Sequence, residues 1–251
     1  MDLETISISQ ITKKPLIIVI IVAFLFPTIF FLLIKYFNIE GQLIRYFLTI
    51  ASAIFMALLA LWAMKRDHIF KDEIGLYFKN IGQSLVVIAV MYLILGLTYY
   101  LVFGEIELDQ RFSFSQMLQQ WIFVGMGEEL LFRGYLLNRF IKEASYKPKL
   151  KGYATILSSI IFATVHIPVR LFNGASIIEI LISLVMIFIL GIFFSYIFLR
   201  TKNIVLVGLV HGNWNVPLMA RYGDFLQIII LILVVELFTA FKKSNEERSI
   251  Y

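Results

Sequence analysis

The chain has 251 residues, of which 60% are hydrophobic, and it contains no cysteine. Soluble domains are usually about 45–50% apolar, so the composition predicts an all-α, polytopic membrane protein whose surroundings are the lipid bilayer. The lack of cysteine excludes disulfides, thiol nucleophiles and cysteine-ligated metal. The net charge is +5, but the basic residues flank apolar runs instead of lining one soluble face. Nucleic acid is therefore excluded as a partner.

Apolar runs long enough to cross a bilayer, about 17–25 residues, occur along the whole sequence. We predict a single integral membrane domain over residues 1–251 with about eight transmembrane helices. The predicted spans are 15–35, 44–64, 81–103, 117–138, 152–167, 177–199, 203–219 and 224–241. The fifth and seventh are short and carry polar residues, so their ends are less sharply defined.

The basic residues alternate in number between the segments that join these spans. Of the 22 lysines and arginines, 16 fall on one side, 5 on the other, and Arg133 lies inside a span. Because cytoplasmic loops carry the excess of Lys and Arg, this bias predicts a multi-pass protein of the cell membrane with both termini in the cytoplasm.

The fourth predicted span carries Glu128, Glu129 and Arg133. Placing a charged side chain at the bilayer centre costs about 2.5–3.5 kcal/mol even on the insertion scales that give the lowest values. Three such residues in one span therefore indicate a function or a pairing that offsets this cost. Glu129 and Arg133 are spaced i,i+4 and can pair on one helix face, which leaves Glu128 for another partner. Gly125 and Gly127 would let another helix approach closely. A buried ion-pair network that only holds helices together is the alternative interpretation.

Two of the three histidines also lie within predicted spans. His166 ends an apolar run, and Phe162, one turn earlier, could wall a pocket beside its ring. His211 and Asn215 are spaced i,i+4 and share a helix face. Each of these could alone be a structural hydrogen-bonding residue. His68, in a charged loop, is expected to be solvated.

A glutamate, two histidines and an asparagine suit peptide-bond hydrolysis. The glutamate can act as general base, a histidine can hold the same water or protonate the leaving amine, and a second histidine and an amide can donate to an oxyanion. A zinc site formed by His166, His211 and a carboxylate would use the same residue types, and the sequence alone does not exclude it.

The signatures of other intramembrane proteases are missing. The sequence has no H-E-x-x-H helix and no G-x-S-x-G elbow, which are typical of zinc and serine hydrolases. It also lacks a plausible pair of aspartates within the spans.

Three motifs resemble those of the CPBP family, which includes CAAX prenyl endopeptidases and bacteriocin-processing, abortive-infection-like proteins. E-E-L-L-F-R at 128–133 resembles E-E-x-x-x-R, F-A-T-V-H at 162–166 resembles F-x-x-x-H, and H-G-N-W-N at 211–215 resembles H-x-x-x-(N/D). The motifs occur in the family's order, and the CPBP-like core covers about residues 115–220.

The resemblance implies an eight-helix endopeptidase of the glutamate type that needs no bound metal. It further implies that Glu128 with His166 activates the water and that His211 and Asn215 form the oxyanion hole. The supporting residues would be Glu129, Arg133 and Phe162.

We therefore predict an intramembrane glutamate-type endopeptidase, with no cofactor, that cleaves a membrane-associated or prenylated or precursor peptide. Prenylated substrates are a precedent within the family. The alternative is a non-catalytic membrane protein with an immunity or regulatory scaffold role. A small transporter fits less well, because the two halves show no inverted repeat with matched broken helices.

Overall fold

A computed structural model describes residues 13–39, 41–145, 152–220 and 224–248 of the chain. Within these ranges the chain is helical, and its one extended pairing is an isolated bridge between Leu108 and Met219. The predicted all-α class is confirmed. Residues 139–151, which join the fourth and fifth predicted spans, fall partly outside the described residues.

Twelve α-helices and two π-helical segments follow one another in the described chain. They are α1 (Lys13–Tyr36), α2 (Gln42–Arg66), α3 (Lys71–Ile74), α4 (Phe78–Phe103), α5 (Phe114–Met117), π1 (Leu118–Val124), α6 (Gly125–Glu129), π2 (Leu130–Leu137), α7 (Asn138–Ser145), α8 (Tyr153–Thr164), α9 (Ile167–Phe172), α10 (Ile177–Thr201), α11 (Ile204–Asn215) and α12 (Asp224–Arg248).

Each predicted span coincides with a helical segment of the structure, but not all of these segments have the properties of a single crossing helix. By length and composition, five segments of the described chain can cross a membrane. They are Lys13–Tyr36, Gln42–Arg66, Lys71–Phe103, Tyr153–Phe172 and Ile177–Thr201. The count of eight spans and the orientation of the termini stay predictions.

The fourth predicted span is not the regular helix that its apolar run suggested. The short helix α6 lies between π1 and π2, so the backbone carries wider turns on both sides of Glu128 and Glu129. All eight residues of π2 are buried, so no alternation of exposed polar and buried apolar positions marks its wider turns in the sequence. Wide turns of this kind occur frequently at functional sites.

Helix α6 is packed tightly between α2 and α11, as its glycines predicted. A Cβ atom added to Gly125 would overlap the carbonyl oxygen of Gly208 on α11, and one added to Gly127 would lie 2.5 Å from the carbonyl oxygen of Ala53 on α2. These two contacts fix the position of α6 and therefore of Glu128, which follows Gly127 directly.

Gly212 tests how much this close packing matters. A Cβ atom there would overlap the backbone of Trp121, so we expect Gly212→Ala to destabilise the protein by about 1–3 kcal/mol, as overpacking does. Gly82→Ala is the matched control, since a Cβ at Gly82 meets nothing within 4 Å. Thermal unfolding in detergent measures both. Equal stability of the two variants would contradict close packing between α11 and π1, the segment that carries Trp121 and leads into α6.

Candidate active site

Three elements bring the acidic residues and two histidines together. Glu128 and Glu129 lie on α6, His166 directly precedes α9, and His211 lies on α11. The Oε2 atom of Glu128 is 3.9 Å from Nε2 of His166 and 3.8 Å from Nε2 of His211. Residues far apart in the chain thus form one cluster around a single carboxylate oxygen.

Glu129 forms a second, fully buried ion pair beside this cluster. Its Oε1 atom accepts hydrogen bonds from Arg133 Nη1 and from His211 Nδ1, each at 2.8 Å, and both Glu129 and Arg133 are completely inaccessible to solvent. Arg133 also donates to the carbonyl oxygen of Gly191 at 2.9 Å. The predicted i,i+4 pair is therefore present, and it ties α6 and π2 to α10 and α11.

Both imidazole rings present the same nitrogen to Glu128. His166 Nδ1 lies 2.7 Å from the carbonyl oxygen of Phe162, and His211 Nδ1 faces the Glu129 carboxylate, so in each ring Nδ1 carries the hydrogen. When the rings are neutral, their Nε2 atoms are acceptors, as is a carboxylate oxygen. A site with three acceptor atoms that face one another can bind a hydrogen-bond donor, such as water or a peptide N–H.

Glu128 differs from Glu129 in its partners. The Oε2 atoms of Glu128 and Glu129 are both buried and accept no hydrogen bond from any described residue, but Glu129 is held in place through Oε1, which accepts two. A buried polar atom without a partner is costly and usually has a functional reason. The expectation that Glu128 is free for another partner agrees with this geometry.

Asn215 ends α11 one turn after His211, and its side chain is held by a residue that the sequence analysis missed. Asn215 Nδ2 donates to Gln120 Oε1 at 3.0 Å. Gln120 in turn donates to Gln119, which donates to the carbonyl oxygen of Tyr46 on α2. Two adjacent glutamines in an apolar span were the available signal for this chain of hydrogen bonds.

Aromatic rings enclose the two histidines. The Phe162 ring is buried, with its centroid 4.9 Å from the His166 ring and 5.7 Å from the His211 ring. Phe194, not singled out by the sequence, stacks on His211 at 5.0 Å. The Arg133 guanidinium lies over Phe162 at 4.4 Å. Phe162 therefore contacts the Arg133 guanidinium and both imidazoles, and it forms a wall beside His166.

A cavity of about 430 Å³ extends from Glu128 and His166 into the space between α1, α2 and α9. Most of its wall is apolar, and Arg45 lies on its lining. The apolar lining includes Phe26, Phe30, Phe31, Met56, Phe132 and Phe172. Sequence reasoning assigned no role to residues 1–110, yet α1 and α2 supply most of this wall.

The separations around Glu128 are wider than those between the ligands of a zinc ion. Tetrahedral ligands at about 2.0–2.1 Å from zinc lie about 3.3–3.4 Å from one another, which is closer than the separations of 3.8 and 3.9 Å around Glu128. In the described part of the chain, no group of three His, Cys, Asp or Glu side chains has the arrangement of a metal site. The metal-free mechanism stays a prediction.

Comparison with known proteins gives one family. No curated protein and no solved structure matches the chain significantly. Residues 110–217 match the family described as type II CAAX prenyl endopeptidase Rce1-like, a region that contains all three motifs and overlaps the core predicted at 115–220. The apolar helices and this match together indicate a multi-pass membrane protein. The match over residues 110–217 supports membership of the CPBP family, to which the Rce1-like membrane endopeptidases are assigned.

Proposed function

We propose that this protein is an intramembrane glutamate-type endopeptidase that hydrolyses a peptide bond of a membrane-associated or prenylated or precursor peptide. Its family is a peptidase family. The observation that carries the proposal is the single Glu128 oxygen facing Nε2 of His166 and of His211 at 3.9 and 3.8 Å, on the wall of an apolar cavity.

The first step is activation of water. A water molecule held by Glu128 Oε2 and His166 Nε2 loses a proton to the Glu128 carboxylate, and its oxygen attacks the carbonyl carbon of the scissile bond. General-base catalysis of this kind contributes about 10²–10⁴-fold in rate. The fixed ring orientation, set by the Phe162 carbonyl oxygen, aims His166 at that water.

The second step is stabilisation of the oxyanion. A His211 ring that carries a hydrogen on both nitrogens donates from Nε2 to the oxyanion, while its Nδ1 is held by the Glu129 carboxylate. Asn215 has one amide hydrogen engaged by Gln120 and a second one to offer. Removal of one oxyanion donor typically costs about 10²–10³-fold in kcat.

The final step transfers the proton from Glu128 to the leaving amide nitrogen. The C–N bond then breaks, giving a new amine and a new carboxylic acid, which keeps the second proton of the water until it ionises in solution, and Glu128 returns to its ionised form. Every proton removed from water is thereby delivered to a product, and no other reactant is needed.

Cleavage assays with and without a chelator test this proposal. We expect purified protein in lipid vesicles to cleave members of a library of apolar peptides, and 1,10-phenanthroline to leave the rate unchanged. Loss of cleavage with chelator and its return with zinc would overturn the metal-free mechanism. A folded protein that cleaves no member would favour the non-catalytic scaffold instead.

A further inference from the structure

Arg45, in the first turn of α2, lines two cavities at once. One is the apolar cavity that reaches Glu128, and the other is a cavity of about 450 Å³ whose lining includes Tyr46, Ser115 and Gln119. Thr49 also lines both. The two spaces therefore adjoin at Arg45, and a peptide lying in the first can continue past this residue into the second.

The Arg45 guanidinium makes one hydrogen bond to the part of the chain that the structure describes. Its Nε atom donates to the carbonyl oxygen of Ile39 at 2.8 Å, and its two terminal nitrogens bond no described residue. Among the described residues that line the apolar cavity, Arg45 is the one arginine or lysine and Glu128 the one acidic residue. An anionic group of a bound peptide is therefore repelled at the Glu128 end and attracted at the Arg45 end.

The separation of these ends follows from the packing of α2 on α6. The carbonyl oxygen of Ala53 lies against Gly127, so Ala53 is level with Glu128. Arg45 precedes Ala53 by eight residues, which is about 12 Å along the helix at 1.5 Å per residue. An extended peptide advances about 3.3 Å per residue, so 12 Å corresponds to three or four residues.

We infer that Arg45 is a specificity-determining residue that binds a carboxylate of the substrate about three or four residues from the scissile bond. Arginine binds carboxylates through two parallel hydrogen bonds, and the apolar cavity accommodates the uncharged residues in between. The inference rests on the proposed function for the position of the scissile bond. The carboxylate is either the free C-terminus of the peptide or an Asp or Glu side chain.

Binding of three related peptides to the Glu128→Gln variant in vesicles tests this inference without requiring cleavage. All share one apolar sequence: the first ends in a free carboxylate, the second in an amide, and the third in an amide with an internal Asp at the corresponding position. We expect adding Arg45→Gln to raise the Kd of a carboxylate peptide by about 10- to 100-fold and to leave the plain amide unchanged. Arg45→Lys should give an intermediate Kd.

The response of the peptides identifies the source of the carboxylate. Loss of affinity for the free-acid peptide alone assigns a C-terminal carboxylate, and loss for the Asp peptide alone assigns a side chain. Loss of affinity for both carboxylate peptides shows that Arg45 binds a carboxylate from either source. Equal effects on all three peptides, or no binding preference for a carboxylate before Arg45 is changed, would overturn the inference.

Arg111→Gln is the matched control, because Arg111 pairs with Asp109 and lines neither cavity. It should change no Kd. Thermal unfolding of Arg45→Gln shows whether loss of the bond to Ile39 alters the fold, and Arg45→Lys keeps the charge if it does. If the binding preference is found but the active protein cleaves nothing, the proposed function fails and the carboxylate site stands.

Discussion

Glu128→Gln is expected to lower the rate of peptide cleavage by about 10²–10⁴-fold and to leave the thermal unfolding midpoint nearly unchanged. The amide has the size of the carboxylate but cannot take a proton from water. The Glu128 side chain is 24% exposed, and its Oε2 atom accepts no hydrogen bond from a described residue. The Oε2 atom therefore holds no described residue in place by a hydrogen bond. Initial rates with the same peptides, and unfolding in the same detergent, measure the two effects.

Glu129→Gln is the matched control, since it makes the same chemical change one residue along the chain. Glu129 is fully buried and bonds both Arg133 and His211, so this variant should lose stability as well as activity. Of the two substitutions, Glu128→Gln alone is thus expected to lower the cleavage rate without lowering the stability. If Glu128→Gln cleaves as fast as the native protein, or if both variants unfold at the same lowered temperature, the distinct roles given to the two glutamates are wrong.

Arg133→Met is expected to cause the largest loss of stability, about 3–5 kcal/mol, as removal of one partner from a buried ion pair does. It leaves the Glu129 carboxylate buried without its main counter-charge and also removes the bond to Gly191 and the contact with Phe162. Denaturant titration in mixed micelles measures the free energy of unfolding.

The double variant Glu129→Gln/Arg133→Met separates lost charge pairing from lost packing. Because both charges are removed, it should recover part of the stability that Arg133→Met loses. A double variant as unstable as the sum of the two single variants would show that pairing between these side chains contributes nothing.

Local spacing made part of the site predictable. The i,i+4 relation of Glu129 and Arg133 fixes their separation on one helix, and their bond is present as predicted. Glycines in an apolar span likewise predicted close helix contacts, and α6 makes them on two sides. Such features depend on a few neighbouring residues, so they can be read from the sequence.

Contacts between distant segments were not predictable in the same way. The hydrogen bond between His211 and Glu129 depends on how α11 packs against α6. The hydrogen bond from Asn215 to Gln120 depends on the wide turns of π1, which carry Gln120. Neither packing nor the π-helical backbone has a periodic signature in one sequence. The cavity wall from α1 and α2 was missed because apolar residues facing lipid and apolar residues facing a cavity have the same composition.

The most direct test of Glu128-dependent hydrolysis is mass spectrometry of peptide products formed in water enriched in ¹⁸O. With the native protein in vesicles, we expect the newly formed C-terminal fragment ends to carry one ¹⁸O atom, and with Glu128→Gln we expect that labelled product to be nearly absent. A folded native protein that gives no labelled product, or equal labelling by the two proteins, would contradict hydrolysis by this site.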